Sequence, residues 1–372
     1  MIKKILFEII SIIENWFIKK NTRTLIDKKL IFIGDPEAIK IFVISGTVLA
    51  TGGSGTALRL VSHLIKLDSS YGVAIPYDGV SNLESILALF DEVQSKVIEG
   101  HVLERGFSSI IYTNWQSYYQ YAYVSAKNKF MFVQDGEFWF FPMGSTYYVS
   151  AVPYRDPEVV KICLGDWLVR SLAICKGPVL SVPFPTTLIP NDHSRVIKNH
   201  NLKEIVVLVY VKHSFRRAGG ILLAQLKRAH PNVEGYQIKF RVIGYEPSLI
   251  FKSRFPKNIH FLGYVNEGVM QEELLKCDLG LVYSCTNVSL LPFQLAAYGK
   301  PILEISNGGA EIEQLNATVI AVEPNFDGLN DSLGFYAKDK QKFDLYASKC
   351  CGKLVGISES AISFNDIVAN YL

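Results

Sequence analysis

The stretch KIFVISGTVLATGGSGTALRLVSHLIKL, Lys40 to Leu67, decides the fold. Its first part, Lys40 to Val48, is an apolar, β-branched run that reads as a buried strand. Gly52-Gly53-Ser54-Gly55 follows, and Thr56 to Leu67 then sets Ala57, Leu60, Val61, Leu64 and Ile65 at helical spacing. Strand, glycine turn and helix in that order make the unit from which helix-covered parallel sheets are built.

The same alternation continues outward. Tyr71 to Pro76, Ser108 to Thr113, Lys129 to Val133, Val159 to Leu164 and Val179 to Val182 read as strands. Leu83 to Phe90, Tyr118 to Ala126 and Asp166 to Ile174 read as the helices between them. From Pro183 to Asn201 the chain carries Pro183, Pro185 and Pro190 among polar residues, a composition that stops both helix and strand. A domain boundary is expected there. Beyond it strands are expected over Glu204 to Val211, Gln237 to Gly244, Asn258 to Phe261, Leu279 to Tyr283, Pro301 to Glu304 and Val319 to Val322. Helices are expected over Gly219 to Ala229, Val269 to Lys276, Pro292 to Tyr298 and Gly308 to Leu315, with Gln341 to Leu372 helical as well. The fold class is therefore α/β, with two Rossmann-like doubly wound domains facing a central cleft at their C-terminal strand edges, where open sheets bind ligands. The expected division is an N-terminal extension over residues 1–34, a first domain over 35–190, a second over 191–335, and C-terminal helices over 336–372 that fold back toward the first.

Composition fits two cores. A chain of 372 residues exceeds what one core usually serves. With 49% hydrophobic and 20% charged residues, disorder is excluded as the general state. A net charge of +3 is too small to mark a nucleic-acid binder. The cysteines lack C-x-x-C spacing, so neither a zinc site nor a redox motif is expected, and a reducing cytoplasm fits them best. Met1 to Lys20 opens with Lys3 and Lys4 and is rich in isoleucine, but it has no small-residue cleavage site. Glu8 and Glu14 lie inside it, and a mid-bilayer carboxylate costs on the order of 2.5 to 3.5 kcal/mol, which disfavours spanning. Two readings stay open: a helix lying in the membrane interface, or one packed on the first domain.

Several segments carry chemistry. Gly53 and Ser54 sit where strand passes to helix, so the backbone can approach a ligand and offer N–H groups to an anion or hydroxyl; a tight packing turn is the other reading. Residues 112–148 hold 14 of the 45 aromatics, a density suited to stacking on sugar rings, with Trp115, Trp139 and Phe141 as acceptor-binding candidates. Most of these rings are nonetheless expected in the core. Asp135 and Glu137 lie just past a strand end, either placed to act as a general base toward an acceptor hydroxyl or simply forming a turn. Asp135-Gly136-Glu137 only approximates the Asp-x-Asp of cation-dependent transferases, so no metal is expected. After the strand ending near Tyr210 come Lys212, Arg216 and Arg217, cations able to neutralise charge on a departing diphosphate, Arg217 foremost. SCTNVSLLPFQLAAYGKP, Ser284 to Pro301, follows a strand with a polar loop and a helix opened by Pro292, whose N-terminus suits phosphate.

This last segment resembles the donor-binding stretch of retaining-type GT-B glycosyltransferases, Pro-Leu-Glu-Ala-Met-Ala-x-Gly-x-Pro, through Pro292, Ala297, Gly299 and Pro301. The family's ribose-holding glutamate falls on Gln294, and the glutamate eight residues earlier falls on Thr286. Gly263-Tyr264-Val265 is similar to the family's short loop beside the base. Taken together with the glycine turn and the basic segment, donor contacts are expected from Gly53, Ser54, Lys212, Arg216, Arg217, Gly244, Tyr264, Val265, Tyr283, Ser289, Leu290, Leu291 and Gln294. Gly52 to Leu60 and Phe132 to Pro142 are similar to bacterial rhamnosyltransferases that build surface rhamnan chains. That similarity implies a dTDP-rhamnose donor, no further cofactor, and a glycan or lipid-linked glycan acceptor at the inner face of the membrane. Two rivals remain: a nucleotide-sugar epimerase, and a non-catalytic carbohydrate-binding protein that the residues at 286 and 294 make credible.

Overall fold

The computed structural model describes residues 2–26, 28–46, 48, 52–80, 82–91, 96–101, 103, 106–185, 203–212, 215–309, 318–350 and 355–371. The chain divides into two compact units, Met1–Phe184 with Ile357–Leu372, and Pro185–Gly356.

The first unit runs α1 (Ile2–Thr22), β1 (Leu30–Gly34), β2 (Lys40–Val43), α2 (Gly52–Leu67), β3 (Tyr71–Pro76), α3 (Leu83–Leu87), β4 (Lys96–His101) and β5 (Phe107–Tyr112). It continues with α4 (Trp115–Gln120), β6 (Ala126–Val133), α5 (Ser145–Arg155), β7 (Val159–Leu164), α6 (Asp166–Ser171) and β8 (Val179–Val182). Its sheet has the order β4-β1-β3-β2-β5-β6-β7-β8. From β3 to β8 the neighbours are parallel, whereas β1 is antiparallel to both β3 and β4. Parallel strands covered on both faces must be apolar throughout, and β2, β3 and β7 are buried at every residue.

The decisive stretch differs from expectation in detail. β2 stops at Val43, and the glycines form the first turn of α2 instead of a separate turn. Glycine is least costly there, because first-turn N–H groups have no intrahelical partner to lose. The helix expected over Tyr118 to Ala126 starts earlier and ends at Gln120, since Asn114 and Ser117 form a capping box at its start. β6 then begins at Ala126.

The second unit runs β9 (Glu204–Tyr210), α7 (Gly219–Lys227), β10 (Asn232–Val233), β11 (Tyr236–Ile243), α8 (Leu249–Lys252), β12 (Ile259–Gly263) and α9 (Glu267–Lys276). After these come β13 (Leu279–Leu281), α10 (Leu290–Ala297), β14 (Ile302–Ile305), β15 (Val319–Val322), α11 (Gly328–Lys338) and α12 (Lys340–Cys350). Apart from the short antiparallel β10, all its strand pairs are parallel, in the order β10-β11-β9-β13-β14-β15 with β12 beside β11. The core gathers Val207, Val209, Phe240, Val242, Leu281 and Leu303 from the strands with Leu222, Leu226, Leu329 and Leu333 from the helices. Most of the linker expected over Pro183 to Asn201, and most of the helix expected over Gly308 to Leu315, lie outside the described residues.

The last helix, α13 (Ile357–Ala369), belongs to the first unit. Phe364 packs 5.5 Å from Phe42 and 5.8 Å from Phe132, and Tyr71 donates to Asn365 Oδ1 at 3.2 Å. α1 is held on the same unit: Phe17 lies edge-on to Phe141 at 6.0 Å, Glu14 Oε1 accepts from Thr146 N–H at 3.2 Å, and Gln120 donates to Asn21 O. Its other side carries Ile5, Ile9, Ile12 and Trp16, 48% to 67% exposed and spaced as one helical stripe. No described helix is long and apolar enough to cross a membrane.

Candidate functional site

Because the strands of the second unit other than β10 are parallel, the residues that follow them share one edge, the place where open α/β sheets take ligands. Gly244 follows β11 with φ +78°, and a Cβ there would stand 2.6 Å from Val211 O and 2.8 Å from the Tyr210 ring, so only glycine fits. Its N–H donates to Gly263 O at 2.8 Å, which ties the ends of β11 and β12 together. Tyr264 follows at 85% exposure, with Val265 half-buried. His213 and Ser214, within the basic segment, lie outside the described residues.

Arg217 closes a 3₁₀ turn over Phe215–Arg217, and its Nη1 donates to Asn287 O at 3.1 Å. Asn287 belongs to the loop that opens α10, so the foremost cation and that helix start are side by side. Lys212 is exposed and Arg216 half-buried. Burial pushes the Tyr210 hydroxyl above its ordinary range while Arg217 and Arg216 pull it down, which places both guanidinium groups within electrostatic reach of the end of β9.

α10 starts two residues before Pro292, with Ser289 as N-cap, its hydroxyl accepting from Leu291 N–H at 3.5 Å. Ser289 N–H in turn donates to Ser284 Oγ at 3.2 Å. Proline as the third helical residue costs nothing, since its missing N–H would have been an orphan. Leu290 and Gln294 are half-buried. Tyr283 and Leu291 differ from expectation. The Tyr283 side chain is fully buried and hydrogen-bonded to Gln225, and Leu291 is 4% exposed, so apolar packing removes both side chains from contact with a ligand.

In the first unit, Gly53 and Ser54 lie in the first turn of α2, and Gln134 Nε2 donates to Gly53 O at 2.9 Å. Asp135 is buried just past β6, and its backbone oxygen accepts from Tyr154 Oη at 2.9 Å. Glu137 serves the local structure, since its Oε2 accepts from Trp115 N–H at 2.7 Å and so satisfies an orphan donor at the start of α4. The aromatic density also has a structural cause. Trp115 is 2% exposed and packs edge-on to Phe141 and Tyr119 at 6.2 Å, so it is core and no sugar platform. Trp139, half-buried, covers Gly136 and faces Trp167 at 6.1 Å; Phe141, also half-buried, joins α1 to α4.

One residue of this strand edge has no counterpart among the sequence-based candidates. Glu304 sits inside β14 with no exposed surface, and its Oε1 accepts from Ser284 N–H at 2.6 Å. Its signal is a lone carboxylate within Pro301-Ile302-Leu303-Glu304-Ile305, an otherwise apolar strand.

No protein-family model matches this chain, and no curated protein matches it in sequence. Solved structures do match. Sucrose-phosphate synthase from Thermosynechococcus elongatus superimposes with a TM-score of 0.65 at 12% identity, covering 89% of this chain and 98% of that one. HepE from Anabaena, solved with UDP and glucose, gives 0.60 at 13% identity over 89% of this chain and 100% of its own. WaaG, a glycosyltransferase of lipopolysaccharide biosynthesis, gives 0.59 at 13% identity over 88% and 99%. The chain has the GT-B fold of these glycosyltransferases.

Proposed function

We propose that this protein is a glycosyltransferase that moves a sugar from a nucleotide donor to a glycan acceptor. The observation that carries the reading is the hydrogen bond from Arg217 to Asn287, which sets a cation beside the first turn of α10 at the ligand edge of a GT-B fold. Glycosyl transfer leaves a nucleoside diphosphate with increased negative charge. A fixed guanidinium and the partial positive charge of a helix N-terminus stabilise that charge as it develops.

For the donor, similarity to rhamnan-building enzymes favours dTDP-rhamnose, while HepE, crystallised with UDP and UDP-glucose, makes UDP-sugars the first comparison. Gly244, Tyr264, Val265, Ser289 and Gln294 are assigned to the donor with Arg217, Lys212 and Arg216. Asp135 is assigned to receive the proton of the attacking hydroxyl, because Glu137 is taken up by α4. Trp139 and Phe141 keep enough exposure to meet an acceptor sugar.

The exposed stripe of α1, with Trp16 beside Lys20 at 5.1 Å and Lys19 in the same last turn, suits the surface of an anionic membrane. We assign the protein to the cytoplasmic face, where nucleotide sugars and lipid-linked acceptors meet.

The test is nucleotide release from dTDP-rhamnose, UDP-glucose and GDP-mannose, each with and without a rhamnan acceptor. Acceptor-dependent release from one donor supports the reading. Conversion of a donor to another sugar without acceptor would make the protein an epimerase, and glycan binding without any release would make it a non-catalytic binder.

A further inference from the structure

Glu304 stands at the centre of the donor-side loop without touching solvent. Oε1 accepts two backbone N–H groups, from Ser284 at 2.6 Å and from Ile305 at 3.0 Å, while Oε2 is buried with no hydrogen-bond partner among the described residues. Gly308 passes so close that a Cβ on it would lie 2.7 Å from Glu304 Cγ, so the chain closes over the side chain. From Ser284 the contacts run on: Ser284 Oγ accepts from Ser289 N–H, and Ser289 caps α10. Arg217 holds the same loop through Asn287. Thr286, between these two anchor points, has its own buried hydroxyl without a partner among the described residues. A family glutamate falls at that position in the GT-B resemblance.

We propose that Glu304 is a positioning residue for the donor diphosphate, fixing residues 284–289 through Ser284 and taking up a proton on Oε2 when the anionic ligand settles beside Arg217. The proposal rests on the reading that this edge binds a nucleotide sugar. A carboxylate oxygen buried without a partner is costly, and protonation lowers that cost by removing the charge. In the free protein burial raises the Glu304 pKa to about 7, against the pull of the Ser284 and Ile305 N–H groups and of Arg217. A diphosphate neutralises Arg217 and adds negative charge nearby, and both effects favour the protonated acid. The proton comes from solvent, and no other bond changes. Among the described residues, the other titratable groups within reach of Glu304 are Tyr283 and Cys285, both pushed upward by burial, so neither titrates between pH 6 and 8.

Donor affinity should therefore fall as pH rises above about 7, by up to roughly tenfold for each unit by which the ligand raises the pKa. The experiment is calorimetric titration at pH 6.0, 7.0, 8.0 and 9.0 with dTDP-rhamnose and UDP-glucose, whose phosphodiesters do not titrate there. Wild type should weaken with pH, and E304Q, which keeps the acceptor for Ser284 but has no proton to gain, should bind with a flat profile near the wild-type low-pH value. Repeating the wild-type titration at pH 8.0 in two buffers of different ionisation enthalpy counts protons directly, independently of whether the variant folds. Uptake of a measurable fraction of a proton is expected. Zero uptake, or an equal pH slope in E304Q, overturns the role of Glu304 while leaving donor binding intact. No binding of either donor at any pH overturns the functional reading itself.

Discussion

Replacing Glu304 by glutamine should stabilise the second unit at neutral pH and leave it almost unchanged in acid. The ordinary value for a glutamate is 4.5, and burial raises this one to about 7. Between those two values the unfolded chain has released its proton while the folded chain still holds it. The contribution of Glu304 to folding stability is therefore fully present below 4.5 and is lost as pH rises to about 7, beyond which it is constant. The gap of about 2.5 pH units, at about 1.4 kcal/mol each, amounts to roughly 3 kcal/mol, with no allowance for solvent because Glu304 has no exposed surface. Glutamine cannot ionise and keeps the oxygen that accepts from Ser284. Its amide is about as badly partnered as the protonated acid, which adds an offset independent of pH. The assay is amide hydrogen exchange of the peptide covering residues 301–309, compared between wild type and E304Q at pH 5, 6, 7 and 8. The stability difference should widen in favour of E304Q by roughly 3 kcal/mol from acid to neutral pH. A difference that stays constant with pH would refute the burial argument, since it would mean that Glu304 ionises alike in the folded and unfolded chain.

Other substitutions separate structural from chemical roles. Gly136→Ala would put a Cβ 2.3 Å from the Trp139 ring, and a loss of about 1 to 3 kcal/mol is expected in thermal melting of the first unit. Glu137→Gln should cost about 1 kcal/mol by weakening the start of α4 yet retain transfer activity, whereas Asp135→Asn should abolish transfer with little change in melting; equal activity loss in both would cancel the division of labour. Replacing Ile12 and Trp16 together by serine should leave folding intact, as they are 67% and 62% exposed, and should reduce co-sedimentation with vesicles containing phosphatidylglycerol. Unchanged sedimentation would refute membrane contact through α1.

The parts of the fold visible in the sequence are those that burial writes most strongly. β3 and β7, and the edge strands β8 and β15, lie on the residues expected, because parallel strands of a helix-covered sheet are mostly apolar and end where glycine, proline or charge begins. β1 and β4 escape notice. Leu30–Gly34 is short and joins its neighbours antiparallel, and Lys96–His101 is mostly polar, so neither shows the signature of a central parallel strand. α5 is hidden by Pro153, a residue that ordinarily breaks helices, and by aromatics on several sides. At the site, Arg217 and the start of α10 are visible through charge and the proline helix start. Residue type does not report burial, however. Trp115, Tyr283 and Leu291 read as ligand contacts and are packed inside, while Glu304 reads as the end of a strand and is a buried carboxyl bonded to the loop before α10.

The central claim is that Arg217 and the α10 start hold a nucleoside diphosphate. The most direct measurement is the dissociation constant of dTDP-rhamnose and of UDP-glucose for wild type and Arg217→Ala, at one salt concentration and pH 7.0. At least one donor should bind the wild type, and the variant should bind it roughly tenfold or more weakly, as loss of a charged hydrogen bond of about 1.5 to 3 kcal/mol requires. Equal affinity in the two proteins, or no binding of either donor to the wild type, would contradict it.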